Sequence, residues 1–282
     1  MFSVFVRQWN ILLKKYHLYN RVSGWVPTTD ISTIYKIRKE LEKSNFRVSD
    51  FFVDKNEYYE YILKANYPEF QDYYAHYQSN KNFKEKSLEH FLAAKFLMIS
   101  KDDVYIDIAN CFSPTPDIYS QLYGCKSYRQ DLIFPKGING DMIGGNAADL
   151  PVEDGFATKV GLHCSFEHFE GDSDIRFIKE ASRVLRSGGR LCIVPLYLFT
   201  KYTIQTDTAA WPEQGLEFDP HASINIAEGW RERHGRFYDV SHLRKRIMNN
   251  LNNMELTIYV IRNQDVIDPS CYVKFAAVFE KK

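Results

Sequence analysis

Between Thr29 and about Ser100, apolar side chains recur at every third or fourth position. DISTIYKIRKELEKSNF puts Ile31, Ile34, Ile37 and Leu41 on one stripe, and KEKSLEHFLAAKFLMI does the same with Leu88, Phe91, Leu92, Lys95 and Phe96. That period predicts helices covered on one face. After Asp103 the rhythm changes. Short apolar runs, VYIDIA, KSYRQ, ATKVGLHCS and GRLCIVPLYL, alternate with helical stretches from about Pro116 to Tyr123 and over DIRFIKEASRVLR. Gly188-Gly189 reads as the stop of the second helix, after basic Arg183 and Arg186 suited to its negative end. Strands alternating with helices predict a mostly parallel sheet covered on both faces. Past Leu198 some fifty residues lose this rhythm. Two alternating runs, LTIYVIRN and CYVKFAAVFEK, then predict an antiparallel hairpin that finishes the sheet.

Composition narrows the classes. A chain of 282 residues with 45% hydrophobic content fills a core. Lysine plus arginine (36) equals aspartate plus glutamate (36), so no global field draws the protein to nucleic acid or an anionic membrane. Cys111, Cys125, Cys164, Cys192 and Cys271 show no CxxC or zinc-like spacing, so no metal is expected and a cytoplasmic location is. The opening MFSVFVRQWNILLKK lacks the marks of a secretory leader, and no apolar run approaches the roughly 18 residues of a membrane span. The aromatic stretch EYYEYILKANYPEFQDYYAHYQ follows helical spacing and reads as core and cover.

In an open parallel sheet, ligands bind beyond the carboxyl ends of the strands where strand order reverses. Asp107 ends the first strand, Asp131 the second, and Gly145-Asn146-Ala147-Ala148-Asp149 opens the third crossover. The block GNAADLPVEDGFATKVGLHCSFEHFEGDSDIRFIKEASRVLRSGGRLCIVPLYL resembles the class I S-adenosylmethionine-dependent methyltransferases. Those proteins carry here an acidic or amide residue, an LP, an acidic DG turn, a strand, an EH, a helix and a double-glycine turn into the next strand. The resemblance covers roughly residues 88–282. It implies an α/β fold with a Rossmann-like sheet, mostly parallel with a C-terminal antiparallel hairpin. An aromatic-rich helical extension over residues 1–95 would precede the domain at 96–282, with an acceptor lid at about 199–250.

The resemblance also implies S-adenosylmethionine as cofactor and assigns residues by position. Asp107 supports the cofactor-binding turn formed by Ala109 and Asn110, and Asp131 takes the ribose hydroxyls. Asn146 and Ala147 lie beside the adenine, the Asn146 amide accepting from the exocyclic amine. His163 and Cys164 lie where methyl donor and acceptor meet. One departure is plain: Ala109-Asn110-Cys111-Phe112-Ser113 replaces every glycine of the family's turn. Asparagine tolerates left-handed torsions best among these residues, and a helix starting there would still offer N–H groups to a carboxylate.

His163, His168 and His234 are candidate bases. In SINIAEGWRERHGRFYDVSHLRKRI, Arg233, Arg236 and Tyr238 are the expected acceptor-binding groups, since guanidinium forks suit phosphate or carboxylate. Lys245 and Arg246 read better as a solvated helix end. The expectation is a methyltransferase of a small molecule, anionic or sugar-containing, with O-methylation favoured and neither nucleic acid nor membrane as partner. The rival is a non-catalytic binding or scaffold domain of the same fold. Oligomeric state is not legible.

Overall fold

A computed structural model describes residues 19–23, 27, 30–67, 82–211 and 218–282. Its eight-stranded sheet runs in the order β2 (Arg47–Phe51), β11 (Met254–Ile261), β12 (Phe275–Lys281), β7 (Leu185–Val194), β6 (Ala157–His163), β3 (Val104–Ile108), β4 (Lys126–Asn139), β5 (Met142–Gly144). β3 to β7 pair in parallel, and β12 runs antiparallel between β7 and β11. This is the Rossmann-like sheet with its C-terminal hairpin that the sequence implies.

Helices cover both faces because successive strand side chains point to opposite sides. Ile106, Ile108, Leu191 and Ile193 belong to one hydrophobic cluster, with α1 (Ile31–Lys43), α5 (Ser173–Val184) and α6 (Val240–Arg246). Tyr105, Cys192 and Val194 belong to the other, with α2 (Lys55–Ala65), α3 (Asn82–Leu97) and α4 (Thr115–Tyr123). In α1 the predicted stripe buries Ile34, Ile37 and Leu41 but leaves Ile31 in solvent. Asp30 caps this helix, accepting from the Thr33 amide at 2.7 Å. In α3 the apolar stripe is joined inside by Glu85, Ser87, Glu89 and His90, so nearly the whole helix is buried.

The structure differs from the expected plan in three places. The N-terminal extension is not wholly helical: β2 adds a parallel edge strand beside β11, and β1 (Tyr19–Ser23) leaves the extension altogether. It joins β8 (Thr203–Thr206), β9 (Ser223–Glu228) and β10 (Gly235–Phe237) in a second sheet of order β1-β9-β8-β10. The region expected as a lid therefore supplies three strands of that second sheet. α5 also stops earlier than its glycines suggest, at Val184, and Gly188 takes φ 77° inside β7 instead. Residues 1–15, and 68–78 of the aromatic stretch, lie outside the described residues.

The chain enters the sheet at β3, moves outward through β4 and β5, then returns to the other side of β3 as β6. Strand order reverses between β3 and β6, which opens a crevice at their carboxyl ends. Ser165, just after β6, reaches the Ile108 carbonyl at the end of β3 with its hydroxyl at 3.5 Å.

Candidate active site

The turn after β3 is built without glycine and at a conformational cost. Ala109, Cys111 and Phe112 take φ of 53°, 47° and 62°, a region that costs an L-residue roughly 1–2 kcal/mol. Asn110, the residue expected there, does not adopt it. Its side chain is buried as an anchor, Nδ2 donating to Asp107 Oδ2 at 2.6 Å and to the Ser113 carbonyl at 2.9 Å. Backbone bonds hold the remainder: Asn110 N to Gln130 O at 2.9 Å, Ser113 N to Asn110 O at 2.8 Å, and Cys111 N to Asp131 Oδ2 at 2.9 Å.

Beside this turn lies a cleft of about 270 Å³, with Ala109, Gln130, Asp131, Asn146, Ala147 and His168 in its wall. Asp131 is half-buried and accepts one backbone N–H on each oxygen, from Cys111 and from Ile133 at 3.2 Å. Asn146 Oδ1 accepts from the Ala148 amide at 2.9 Å, which leaves the side-chain NH₂ facing outward as a donor. One lone pair of the oxygen expected to accept from the adenine is thus engaged in a local turn, and the second remains. Asp107 and Asn110 brace the turn from beneath, Asp107 in the supporting place expected of it, and neither is among the residues that line the cleft. Burial pushes the Asp107 carboxyl up to about 7 despite hydrogen bonds from Asn110 and Tyr105.

Gln130 was missed by the sequence reading. It is buried, with Nε2 donating to the Gly145 carbonyl at 2.6 Å and Oε1 accepting from Ala109 N at 3.3 Å. It ties together the edges after β3, β4 and β5. The available signal was a polar residue immediately before Asp131.

The three histidines separate. His163 is buried under the sheet end, its Nε2 3.1 Å from the Tyr105 hydroxyl, which itself donates to Asp107 Oδ1 at 2.9 Å. Nε2 therefore carries the proton and Nδ1 the lone pair. Burial drives the His163 pKa down to about 3. His234 is also buried, with Nδ1 donating to the Glu167 carbonyl at 3.0 Å and its pKa lowered to about 3 by burial. His168 alone of the three lines the cleft, stacked on Trp230 with ring centroids 5.9 Å apart. Its Nδ1 donates to the His234 carbonyl at 2.6 Å. Cys164 follows β6 at φ 51°, its thiol donating to Glu167 Oε1 at 3.2 Å.

Of the groups expected to hold an acceptor, Arg236 and Tyr238 are spent inside the protein. Arg236 is fully buried, donating from Nε to Asp219 Oδ2 at 2.8 Å and to the Tyr202 hydroxyl at 3.0 Å, and from Nη2 to the Gly171 carbonyl at 2.9 Å. Tyr238 donates to Asp174 Oδ2 at 2.6 Å, and Arg246 Nη2 to Asp174 Oδ1 at 2.6 Å. Asp174 sits in the first turn of α5, where a carboxylate is favoured. The network bolts the second sheet to α5, so Arg236 and Tyr238 are internal and Arg246 is not a solvated end. Arg233 is part-exposed and paired with Glu170, a cleft residue, at 2.6 Å.

Among the described residues, no group of three His, Cys, Asp or Glu side chains is arranged to hold a metal ion. Nor is any helix long and apolar enough to cross a membrane.

A family model described as a methyltransferase domain matches residues 123–193. None of the curated proteins matches the chain. Among solved structures, the YcgJ protein of Bacillus subtilis is similar at 20% identity and TM-score 0.34, over 39% of this chain; the chain spans about half (51%) of that protein. A 1,6-didemethyltoxoflavin-N1-methyltransferase of Burkholderia thailandensis, solved with 1,6-didemethyltoxoflavin and S-adenosylhomocysteine, is 12% identical with TM-score 0.45, covering 84% of this chain and 93% of that one. An S-adenosylmethionine-dependent methyltransferase of Clostridium acetobutylicum is 11% identical with TM-score 0.45, covering 76% and 98%.

Proposed function

We propose that this class I methyltransferase domain uses S-adenosylmethionine to methylate a small molecule. One observation carries the reading: the stretch matched as a methyltransferase domain supplies every residue lining the cleft except Ala109. The wall fits the nucleoside half of the cofactor. Asp131 keeps lone pairs for ribose hydroxyls beyond the two amides it already accepts. Asn146 offers its NH₂ to a ring nitrogen, and Ala147 leaves room for a flat base. When bound, the cofactor supplies an activated methyl group. The protein's own part is to orient the acceptor in line, exclude water and take a proton.

We assign the proton to His168. Its Nδ1 is held as a donor by the His234 carbonyl, so in the neutral ring the lone pair stands on Nε2, 3.7 Å from Glu167 Oε1. The same contacts give His234 a positioning role. A working site is favoured over a scaffold because the glycine-free turn keeps its backbone bonds and leaves the cleft open. A small acceptor is favoured over nucleic acid by the zero net charge. The absence of any disulfide among five cysteines supports a reducing cytoplasm. Incubating the protein with methyl-labelled S-adenosylmethionine and a cell extract tests the acceptor class. Label in the low-mass fraction is expected, and label confined to protein or nucleic acid contradicts it.

A further inference from the structure

The turn after β3 is braced a second time, from a helix that precedes the sheet. His90 of α3 is buried, and both ring nitrogens are engaged: Nδ1 lies 3.0 Å from the Tyr67 hydroxyl and Nε2 3.0 Å from Thr115 Oγ1. Thr115 opens α4, and its hydroxyl lies 2.7 Å from that of Ser113, the residue that closes the turn. Ser113 donates its amide to the Asn110 carbonyl and accepts, on its own carbonyl, from Asn110 Nδ2. Burial lowers the His90 pKa well below the ordinary 6.5, so the ring is neutral and offers one donor and one acceptor. Hydroxyl partners complement either arrangement. His90 is itself held in place, because the Tyr119 hydroxyl of α4 donates to its carbonyl at 2.6 Å and the His163 ring packs against its own, with centroids 4.8 Å apart and planes at 82°.

This string of polar contacts ends on a turn that is strained. Ala109, Cys111 and Phe112 hold left-handed torsions, and such residues persist only where their surroundings over-determine them. Asp107 supplies one restraint through Asn110. The bonds that converge on Ser113 supply another, anchored outside the sheet. A turn built from glycine would need less holding, since glycine takes these torsions without a steric penalty. His90 is not among the residues lining the cleft, so its route to a ligand runs through the turn.

Building on the methyltransferase reading, we propose that His90 is a positioning residue for cofactor binding: through Thr115 and Ser113 it holds the glycine-free turn in its binding conformation, doing by tertiary contact what glycine does by conformational freedom.

The test is calorimetric titration of S-adenosylhomocysteine into the full chain, comparing the parent with His90→Leu, Cys111→Gly and the double variant. His90→Leu should lose about tenfold in affinity, as expected of a turn that is relaxed about nine times in ten. That factor equals about 1.4 kcal/mol, of the order of the cost of one left-handed residue. Adding Cys111→Gly to His90→Leu should restore at least about threefold, more than the same substitution gains in the parent, because only the unbraced turn depends on relief of its torsion. If His90→Leu does not fold, Thr115→Val carries the same two expectations. A folded His90→Leu that binds as tightly as the parent, or a loss that Cys111→Gly recovers no better than it improves the parent, overturns the proposal and leaves the methyltransferase reading standing. If the parent itself does not bind S-adenosylhomocysteine, both fall.

Discussion

Replacing Cys111 with glycine should stabilise the protein. Cys111 holds φ 47° with an exposed side chain, and the contact that fixes it is its amide's bond to Asp131, which glycine retains. Relief of the left-handed torsion returns roughly 1–2 kcal/mol. The greater freedom of glycine in the unfolded chain takes back about 0.4–1 kcal/mol. The net gain is about 0.5–1 kcal/mol, a rise of about 1–3 °C in Tm for a chain of this size. Cys111→Ala is the control, because it removes the thiol and keeps the β-carbon and its strain. Differential scanning calorimetry of the parent and both variants should rank glycine highest, with alanine near the parent. A glycine variant no more stable than the alanine variant would refute the claim that this turn stores backbone strain.

Arg236→Met should destabilise by about 3–5 kcal/mol, because it leaves Asp219 and Asp174 buried without that partner, whereas Arg233→Ala should cost under about 1 kcal/mol; urea titrations compare the two. For Asp107, the folded pKa of about 7 lies above the ordinary 3.8, so its contribution is full below that value and is lost as pH rises through 7. Stability measured at pH 5 and pH 8 should therefore fall by about 2–3 kcal/mol more in the parent than in Asp107→Asn, and an equal fall would contradict the shift. Gly161→Ala would bring a β-carbon to 2.5 Å from the Tyr105 hydroxyl. It should lower Tm by several degrees, because that hydroxyl joins Asp107 to His163.

Periodicity made the sheet, the helices on its faces and the terminal hairpin legible, because buried strands and one-faced helices write their burial locally. β2 escaped notice because RVSDF is short, polar at alternate positions and paired only with β11, more than two hundred residues away. The arginine cluster misled for a related reason: RERHGRFYD shows the cations, while their partners Asp174 and Asp219 come from other parts of the chain. Asn110 is the residue the sequence suggests for the left-handed torsion, but its amide is spent on anchoring the turn to Asp107 while Ala109, Cys111 and Phe112 take the torsions. The burial of Glu85 is not written in the local pattern and shows only once α3 is seen buried nearly all round.

The central claim is that the cleft at the β3–β6 reversal binds S-adenosylmethionine through Asp131. Isothermal titration of S-adenosylhomocysteine into the parent and Asp131→Ala proteins tests it most directly. The account predicts a saturable one-to-one isotherm for the parent and an affinity loss of at least tenfold for the variant, about 1.5–3 kcal/mol for hydrogen bonds to a charged acceptor. A parent that shows no binding at millimolar ligand, or a folded variant that binds as tightly as the parent, would contradict it.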